Sequence, residues 1–266
     1  MVFLASPVGL FTADMQNDIE HRTASVIFCN FTIAMKYRKI MDEIAIIMAA
    51  GMGVRMLPLT KTTAKPLIPV CGIPMVETVI NALKTRNLSK IYIVVGYKKE
   101  QFDYLKQKYE NVELLENGEY LEKNNISSLK AAESALGKAN CFICEADLYI
   151  KDASIFRHEF KQSCYFGKFI EGYSDDWIFE MSGDRIVNIK KEGNSLFNMA
   201  GISYWLKEDA AEIAKALLAA YKEPEHGKLF WDEVVNMVLD KINVGIHPVK
   251  PEQIREIDTV EDLGKI

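Results

Sequence analysis

The chain has 266 residues, 49% of them hydrophobic and 26% charged, with a formal net charge of −5. That is enough apolar material for a sizeable core in one α/β domain. Acid and base are interspersed with no basic block, which argues against nucleic-acid or anionic-membrane surfaces built on clustered Lys and Arg. No apolar run approaches the ~20 residues that a membrane-spanning helix needs.

Residues 1–42 hold no sustained period and no recognisable motif, so they are expected to be a disordered or peripheral extension. The apolar Val26-Ile27-Phe28 is the counter-signal, because it could add an edge strand or a dimer contact. Residues 43–266 read as a single domain. Ile44–Ala49 is a continuous apolar run, as in a parallel strand buried on both faces. Gly51-Met52-Gly53 follows at once. A helix is predicted over Met75–Lys84 after Pro74, then a strand over Ile91–Val95 and a helix over Glu100–Tyr109. Val112–Leu115 reads as a short strand and Ile126–Leu136 as a helix that Gly137 ends. Cys141–Ala146 is another buried strand, closing on Asp147.

This alternation predicts an α/β, Rossmann-like, doubly wound and mostly parallel sheet. Beyond Asp147 the texture changes. Tyr165–Glu171, Trp177–Met181 and Arg185–Lys190 read as strands, the last two joined by a Gly183-Asp184 hairpin turn. Helices are predicted over Glu208–Tyr221 and Leu229–Leu239, and a strand over Val244–Val249.

Five cysteines, Cys29, Cys71, Cys141, Cys144 and Cys164, have no framework spacing, which points to a reduced, cytoplasmic setting. Cys141 and Cys144 lie three apart in a strand and so on opposite faces, as buried thiols rather than a zinc pair.

The segment Ala50-Gly51-Met52-Gly53-Val54-Arg55, followed by Lys65-Pro66, has the chemistry of a triphosphate site. Glycines let backbone N–H groups approach phosphate oxygens. Arg55 adds a planar fork and Lys65 a mobile point charge. Met56 and Pro58 depart from the GxGxxG fingerprint, and no GxxxxGK[ST] loop is present.

In these residues the chain resembles the nucleotidylyltransferases with a nucleotide-diphospho-sugar transferase fold, from about Ile44 to Asp262. The resemblance implies that Ala50, Gly51, Gly53 and Arg55 hold the triphosphate and that Lys65 faces the α-phosphate, with Asn125 and Ser128 approaching the nucleotide. It also implies that Asp147 and Asp258 hold Mg²⁺, an ion usually bound by one or two carboxylates plus substrate phosphates. Glu145, in Glu145-x-Asp147, is left open. Asp258 also reads as a helix N-cap ahead of Thr259 and Glu261, and Asn125 and Ser128 as capping residues.

Within the family the chain is most similar to the bacterial CTP:phosphocholine cytidylyltransferases. The similarity lies in Val95–Leu105, Asn124–Leu129, Tyr165–Trp177 and Lys228–Asp232. A trimethylammonium group is held by aromatic faces and nearby carboxylates, so Glu171, Trp177, Phe230 and Asp232 are the expected acceptor residues. Trp231 falls on a stripe with Val235 and Val238 and reads as core.

The resemblance thus implies Mg²⁺-dependent transfer of CMP from CTP to phosphocholine by in-line attack, giving CDP-choline and pyrophosphate. Such an acceptor is already anionic and needs no general base. That agrees with the unrelated settings of His21, His158, His226 and His247. Acceptors left open are 2-aminoethylphosphonate, phosphoethanolamine and a sugar 1-phosphate, and a nucleotide-binding module without turnover is the reading from another class. The partners expected are CTP and the small phosphate ester, with no nucleic acid and no membrane insertion; a homodimer is left open.

Overall fold

The computed structural model describes residues 43–266, so the expectations for residues 1–42 lie outside the described residues. Strand β1 (Glu43–Ala49) is central to a seven-stranded sheet. It pairs in parallel with β4 (Lys90–Val95) on one side and β6 (Asn140–Glu145) on the other. β5 (Val112–Glu116) extends the parallel set beyond β4. Past β6 come β9 (Arg185–Trp205), antiparallel to β6, then β8 (Ser163–Ser182), antiparallel to β9, and β10 (Val244–Pro248), parallel to β8. The mostly parallel, doubly wound sheet expected from the alternating pattern is present.

The apolar β1 run is explained by burial on both faces. Ala45 and Ile47 join one core with Val76, Val79 and Phe142, while Ile44 and Ile46 join the other with Ile126, Leu129 and Trp205. Helix α1 (Met75–Leu83) supplies Val76, Val79, Ile80 and Leu83 to the first core. Helices α3 (Ile126–Ala131), α4 (Lys207–Ala220) and α5 (Trp231–Asn236) cover the second. In α4 the buried residues Ala210, Ile213, Leu217 and Ala220 recur at helical spacing, and Glu208 and Asp209 sit in the first turn, where the helix dipole favours them. Cys141 and Cys144 face the two different cores, as the alternation of a strand requires.

Several boundaries differ from the sequence reading; the strand read over Arg185–Lys190, for one, is β9 and runs on to Trp205. α3 stops at Ala131 and continues as turns to Gly137, whose φ is +72°. The helix read over Glu100–Tyr109 is a 3₁₀ turn, Lys99–Phe102, followed by α2 (Tyr104–Lys108). α5 covers only Trp231–Asn236 of the stretch Leu229–Leu239. The two stretches read as separate strands, Tyr165–Glu171 and Trp177–Met181, form one bent strand, β8. Its register against β9 shifts between Ile170 and Tyr173 and again between Ser174 and Trp177. Gly172 (φ +83°) lies at that bend, and Glu192 (φ +60°) and Ser195 (φ +51°) turn the facing part of β9. The apolar pattern breaks there because residues 171–176 are exposed or half-buried. The Gly183-Asp184 turn stands where expected.

Outside the main sheet, β2 (Pro69–Val70) pairs with β3 (Ile73–Pro74), and a small antiparallel ladder joins β7 (Leu148–Ile150) to β11 (Ile254–Glu256). The β7–β11 ladder brings the chain's C-terminal region back to the end of β6, and it sets up the site.

Candidate active site

The loop after β1 is shaped by one close contact. Gly53 has φ +61°, and a Cβ there would stand 2.6 Å from the Lys65 Cβ. Glycine is therefore needed both for the backbone conformation and for the approach of Lys65. The Thr60 hydroxyl donates to the Gly53 carbonyl at 3.1 Å, and Tyr97 Oη donates to the Thr60 carbonyl at 2.8 Å. Gln101 accepts from the Ala64 N–H at 2.9 Å and donates to the Thr62 carbonyl at 2.8 Å. Tyr97 and Gln101, which lie in one of the stretches that carried the family resemblance, thus brace the phosphate loop.

Lys65 is only 7% exposed. Its Nζ lies 2.5 Å from Asp147 Oδ2 and 2.7 Å from Asp258 Oδ1. The Arg55 fork meets Asp258 through both terminal nitrogens, at 2.9 and 2.8 Å. Burial works against the Lys65 charge, but Asp147 and Asp258 outweigh it, so its pKa is raised and the ammonium persists. Burial would raise the Asp258 pKa; Lys65 and Arg55 hold it below the ordinary value instead. Asp258 is not the helix N-cap. Thr259 takes that position, in a reciprocal capping box with Asp262 at the start of α6 (Val260–Leu263), which leaves the Asp258 carboxylate free for the cations.

The carboxylates come together through the β7–β11 ladder. Glu256 pairs with Leu148, and the Ile257 N–H donates to the Asp147 carbonyl at 3.0 Å. Glu145, Asp147 and Glu256 each offer an oxygen within 4.8 Å of the others, and among the described residues they are the one such group of ligating side chains. Burial is the largest influence on both glutamates. With the neighbouring carboxylates it raises Glu145 well above the usual range and Glu256 to about 8. Glu256 was missed in the sequence, although Glu256-Ile257-Asp258 repeats the Glu-x-Asp spacing of Glu145-Ala146-Asp147.

Two adjoining cavities contain these groups. One, of 430 Å³, is bounded by Gly51, Gly53, Arg55, Lys65, Asn124 and Asp147. The other, of 360 Å³, is bounded by Ala50, Gly51, Asn117, Asn125, Ser128, Glu145, Glu256 and Phe230. Asn125 Oδ1 accepts from the Trp231 N–H at 2.9 Å, so it ties α3 to α5 rather than capping its own helix. Asn117 Nδ2 donates to Ser127 Oγ at 2.9 Å and to Ser128 Oγ at 3.2 Å, fixing that wall. Among the described residues no histidine lines either cavity. His158 and His247 meet edge-to-face, 4.7 Å apart, beside Phe160, and His226 lies on Tyr221. A larger groove of 590 Å³ lies between α4 and the segments flanking α5, but none of the phosphate-loop or carboxylate residues line it.

The four expected acceptor residues are not brought together. Phe230 lines the 360 Å³ cavity. Trp177 packs edge-to-face on Phe230, with ring centroids 5.5 Å apart. Glu171 is exposed at the β8 bend. Asp232 is 2% exposed and accepts from Tyr165 Oη at 2.9 Å; burial pushes its pKa up to about 7, and it lines neither cavity. Trp231 is core, as read.

An anion cradle of Gly51, Gly53, Arg55 and Lys65 beside an oxygen-only acidic cluster suits a nucleoside triphosphate and a hard cation. Residues 44–166 match the Nucleotidyl transferase family. The 2-aminoethylphosphonate cytidylyltransferase of Lancefieldella rimae is 52% identical over 221 residues, 83% of this chain and 90% of the relative. The choline-phosphate cytidylyltransferase of Streptococcus pneumoniae is 34% identical over 223 residues, 84% and 96% of the two chains. The solved CTP:phosphocholine cytidylyltransferase of Streptococcus pneumoniae superposes with a TM-score of 0.78 at 33% identity, covering 84% of this chain and 97% of that one. With relatives of this closeness spanning nearly their whole length, the chain belongs to the nucleotidyl transferase family, among its cytidylyltransferases.

Proposed function

We propose that the chain transfers CMP from CTP to 2-aminoethylphosphonate, an acceptor with an anionic phosphorus group at one end and a primary amine at the other. The observation that carries this reading is the convergence of Glu145 and Glu256, beside Asp147, in the 360 Å³ cavity that adjoins the one holding Lys65. A primary ammonium has three N–H donors to direct at carboxylate oxygens, whereas a trimethylammonium has none. The raised pKa values of Glu145 and Glu256 reflect crowded negative charge that an incoming cation relieves. The 52% identity to an aminoethylphosphonate enzyme supports the same choice over phosphocholine.

In this reading an acceptor phosphonate oxygen attacks the α-phosphorus in line, the bond to the β-phosphate oxygen breaks, and pyrophosphate leaves. The nucleophile is already anionic, so no base is required. Lys65 donates to the α-phosphate, where charge develops, and the Arg55 fork takes the outer phosphates. Gly51 and Gly53 expose backbone N–H groups to the triphosphate, while Ala50, Asn125 and Ser128 form the nucleoside wall. Asp147 and Asp258 would hold Mg²⁺, which when bound neutralises phosphate charge. The oxygen-only donor set fits that ion. Glu145 and Glu256 remain for the acceptor's ammonium.

The second reading, phosphocholine, is favoured by the Trp177–Phe230 ring pair, an aromatic corner suited to a methylated cation. Pyrophosphate release from CTP and Mg²⁺ with each acceptor separates the two. The expected order of kcat/KM is 2-aminoethylphosphonate, then phosphoethanolamine, then phosphocholine. Glu256→Gln is expected to raise the KM for 2-aminoethylphosphonate about tenfold, as loss of a charged hydrogen bond implies, with little change in the KM for CTP. A higher kcat/KM for phosphocholine overturns the reading.

A further inference from the structure

The aromatic corner formed by Trp177 and Phe230 already holds a cation, and it is the chain's own. Lys191 Nζ stands 5.1 Å from the centroid of Trp177 and 4.8 Å from that of Phe230. Both distances are within the ~6 Å over which a ring face attracts an ammonium. Strand register fixes the arrangement: Trp177 lies directly opposite Lys191 in the β8–β9 pair, so their side chains share a face. The preceding residue, Lys190, is held by an ion pair with Glu180. Among the described residues no carboxylate forms an ion pair with Lys191. The residue after it, Glu192, has φ +60°, so the straight arm of β9 ends at Lys191.

Phe230 is the wall between two spaces. On one side is the 360 Å³ cavity with Glu145, Asp147 and Glu256. On the other is a 570 Å³ cavity lined by Trp177, Lys190, Lys191, Lys228, Asn236 and Glu233, whose carboxylate is taken up by the Phe230 N–H. A substrate cation has two places to go, the carboxylates or the rings, and Lys191 fills the second. Like charges repel, so a methylated ammonium cannot enter the ring corner without expelling Lys191. A primary ammonium has no need of the rings.

We infer that Lys191 is a specificity-determining residue: its ammonium occupies the Trp177–Phe230 corner, excludes trimethylammonium acceptors, and leaves the acidic cluster as the only seat for the acceptor's cationic end. This inference rests on the amine-bearing acceptor proposed above. It predicts that a charge-free side chain of similar length at position 191 opens the corner to choline-type cations.

The test uses the full chain and its Lys191→Met and Lys191→Arg variants. Binding of tetramethylammonium, followed by tryptophan fluorescence, requires no turnover. Lys191→Met is expected to bind it at least tenfold more tightly than the parent, and Lys191→Arg no more tightly. Adding Trp177→Leu to Lys191→Met is expected to abolish the gain, with melting temperatures reporting that each variant is folded. In the pyrophosphate assay, the ratio of kcat/KM for phosphocholine over 2-aminoethylphosphonate is expected to rise at least tenfold in Lys191→Met, through the acceptor KM. Unchanged tetramethylammonium affinity in folded Lys191→Met overturns the inference. So does an equal loss with both acceptors, which would make Lys191 a general binding or structural residue. Failure of the parent to use 2-aminoethylphosphonate would instead overturn the functional reading, and it is visible before any variant is made.

Discussion

At one end of the cleft the working groups are almost contiguous: Gly51, Gly53, Arg55 and Lys65 lie on a single loop, closed by ion pairs to Asp147 and Asp258. At the other end Glu145, Trp177, Phe230 and Glu256 come from four distant segments, joined by the β7–β11 ladder and the bent β8–β9 pair. In the proposed reading the first end handles the triphosphate, and its geometry is set by local backbone constraints. The second would handle the acceptor, and it is assembled by tertiary structure. Chemistry and specificity are therefore separable here, and substitutions at the two ends should fail in different ways.

The largest effect is expected from Lys65→Ala. Removing a donor aimed at developing charge costs about 10²–10³ in kcat, and the KM for CTP should change far less. Steady-state kinetics at saturating Mg²⁺ gives both values. A loss within tenfold would take Lys65 out of the chemical step and blur the contrast between the two ends. Asp147→Asn and Asp258→Asn come next. Each should raise the Mg²⁺ concentration needed for half-maximal rate, read by titrating Mg²⁺ against initial velocity. An unchanged curve for either variant removes that residue from the metal set.

The same contrast explains what was legible in the sequence. The strand–loop–strand rhythm was readable because β1, β4 and β6 are buried on both faces and therefore continuously apolar. The phosphate loop was readable because glycine and cation spacing reflects a local constraint, seen in the Gly53–Lys65 contact. Glu256 was not found, because apart from its Glu-x-Asp spacing nothing local distinguishes it from a surface glutamate until β11 pairs with β7. The single bent strand β8 read as two, since its bend interrupts the apolar alternation. Asp232 looked like a pocket residue because Phe230 and Trp231 precede it, yet those three positions diverge: Phe230 lines the cavity and Trp231 enters the core. Asp232 turns under Tyr165.

Asp232→Asn is expected to leave turnover almost untouched and to act on stability, a clean test of which end it serves. Its folded-state pKa of about 7 lies above the ordinary 3.8, chiefly through burial. Below about pH 4 both folded and unfolded chains carry the proton. Between about pH 4 and 7 the unfolded chain releases it while the folded chain retains it, so stability falls as pH rises, by roughly 4 kcal/mol at most, and levels off above pH 7. Asp232→Asn keeps an acceptor for Tyr165 and removes the titration. Its melting temperature should match the parent's near pH 4 and exceed it increasingly up to pH 7, with the acceptor KM unaltered. A raised acceptor KM with no gain in stability would return Asp232 to the acceptor site.

The most direct test of cytidyl transfer to an amine-bearing phosphonate is a competition in one tube. The full chain, CTP and Mg²⁺ are mixed with equal concentrations of 2-aminoethylphosphonate and phosphocholine, and ³¹P NMR follows both acceptors. The ratio of their disappearance is the ratio of kcat/KM, free of differences in saturation. The phosphonate resonance is expected to convert to its CMP-linked form first, with pyrophosphate appearing in equal amount and phosphocholine largely unconsumed. CDP-choline accumulating ahead of the phosphonate product would contradict the account.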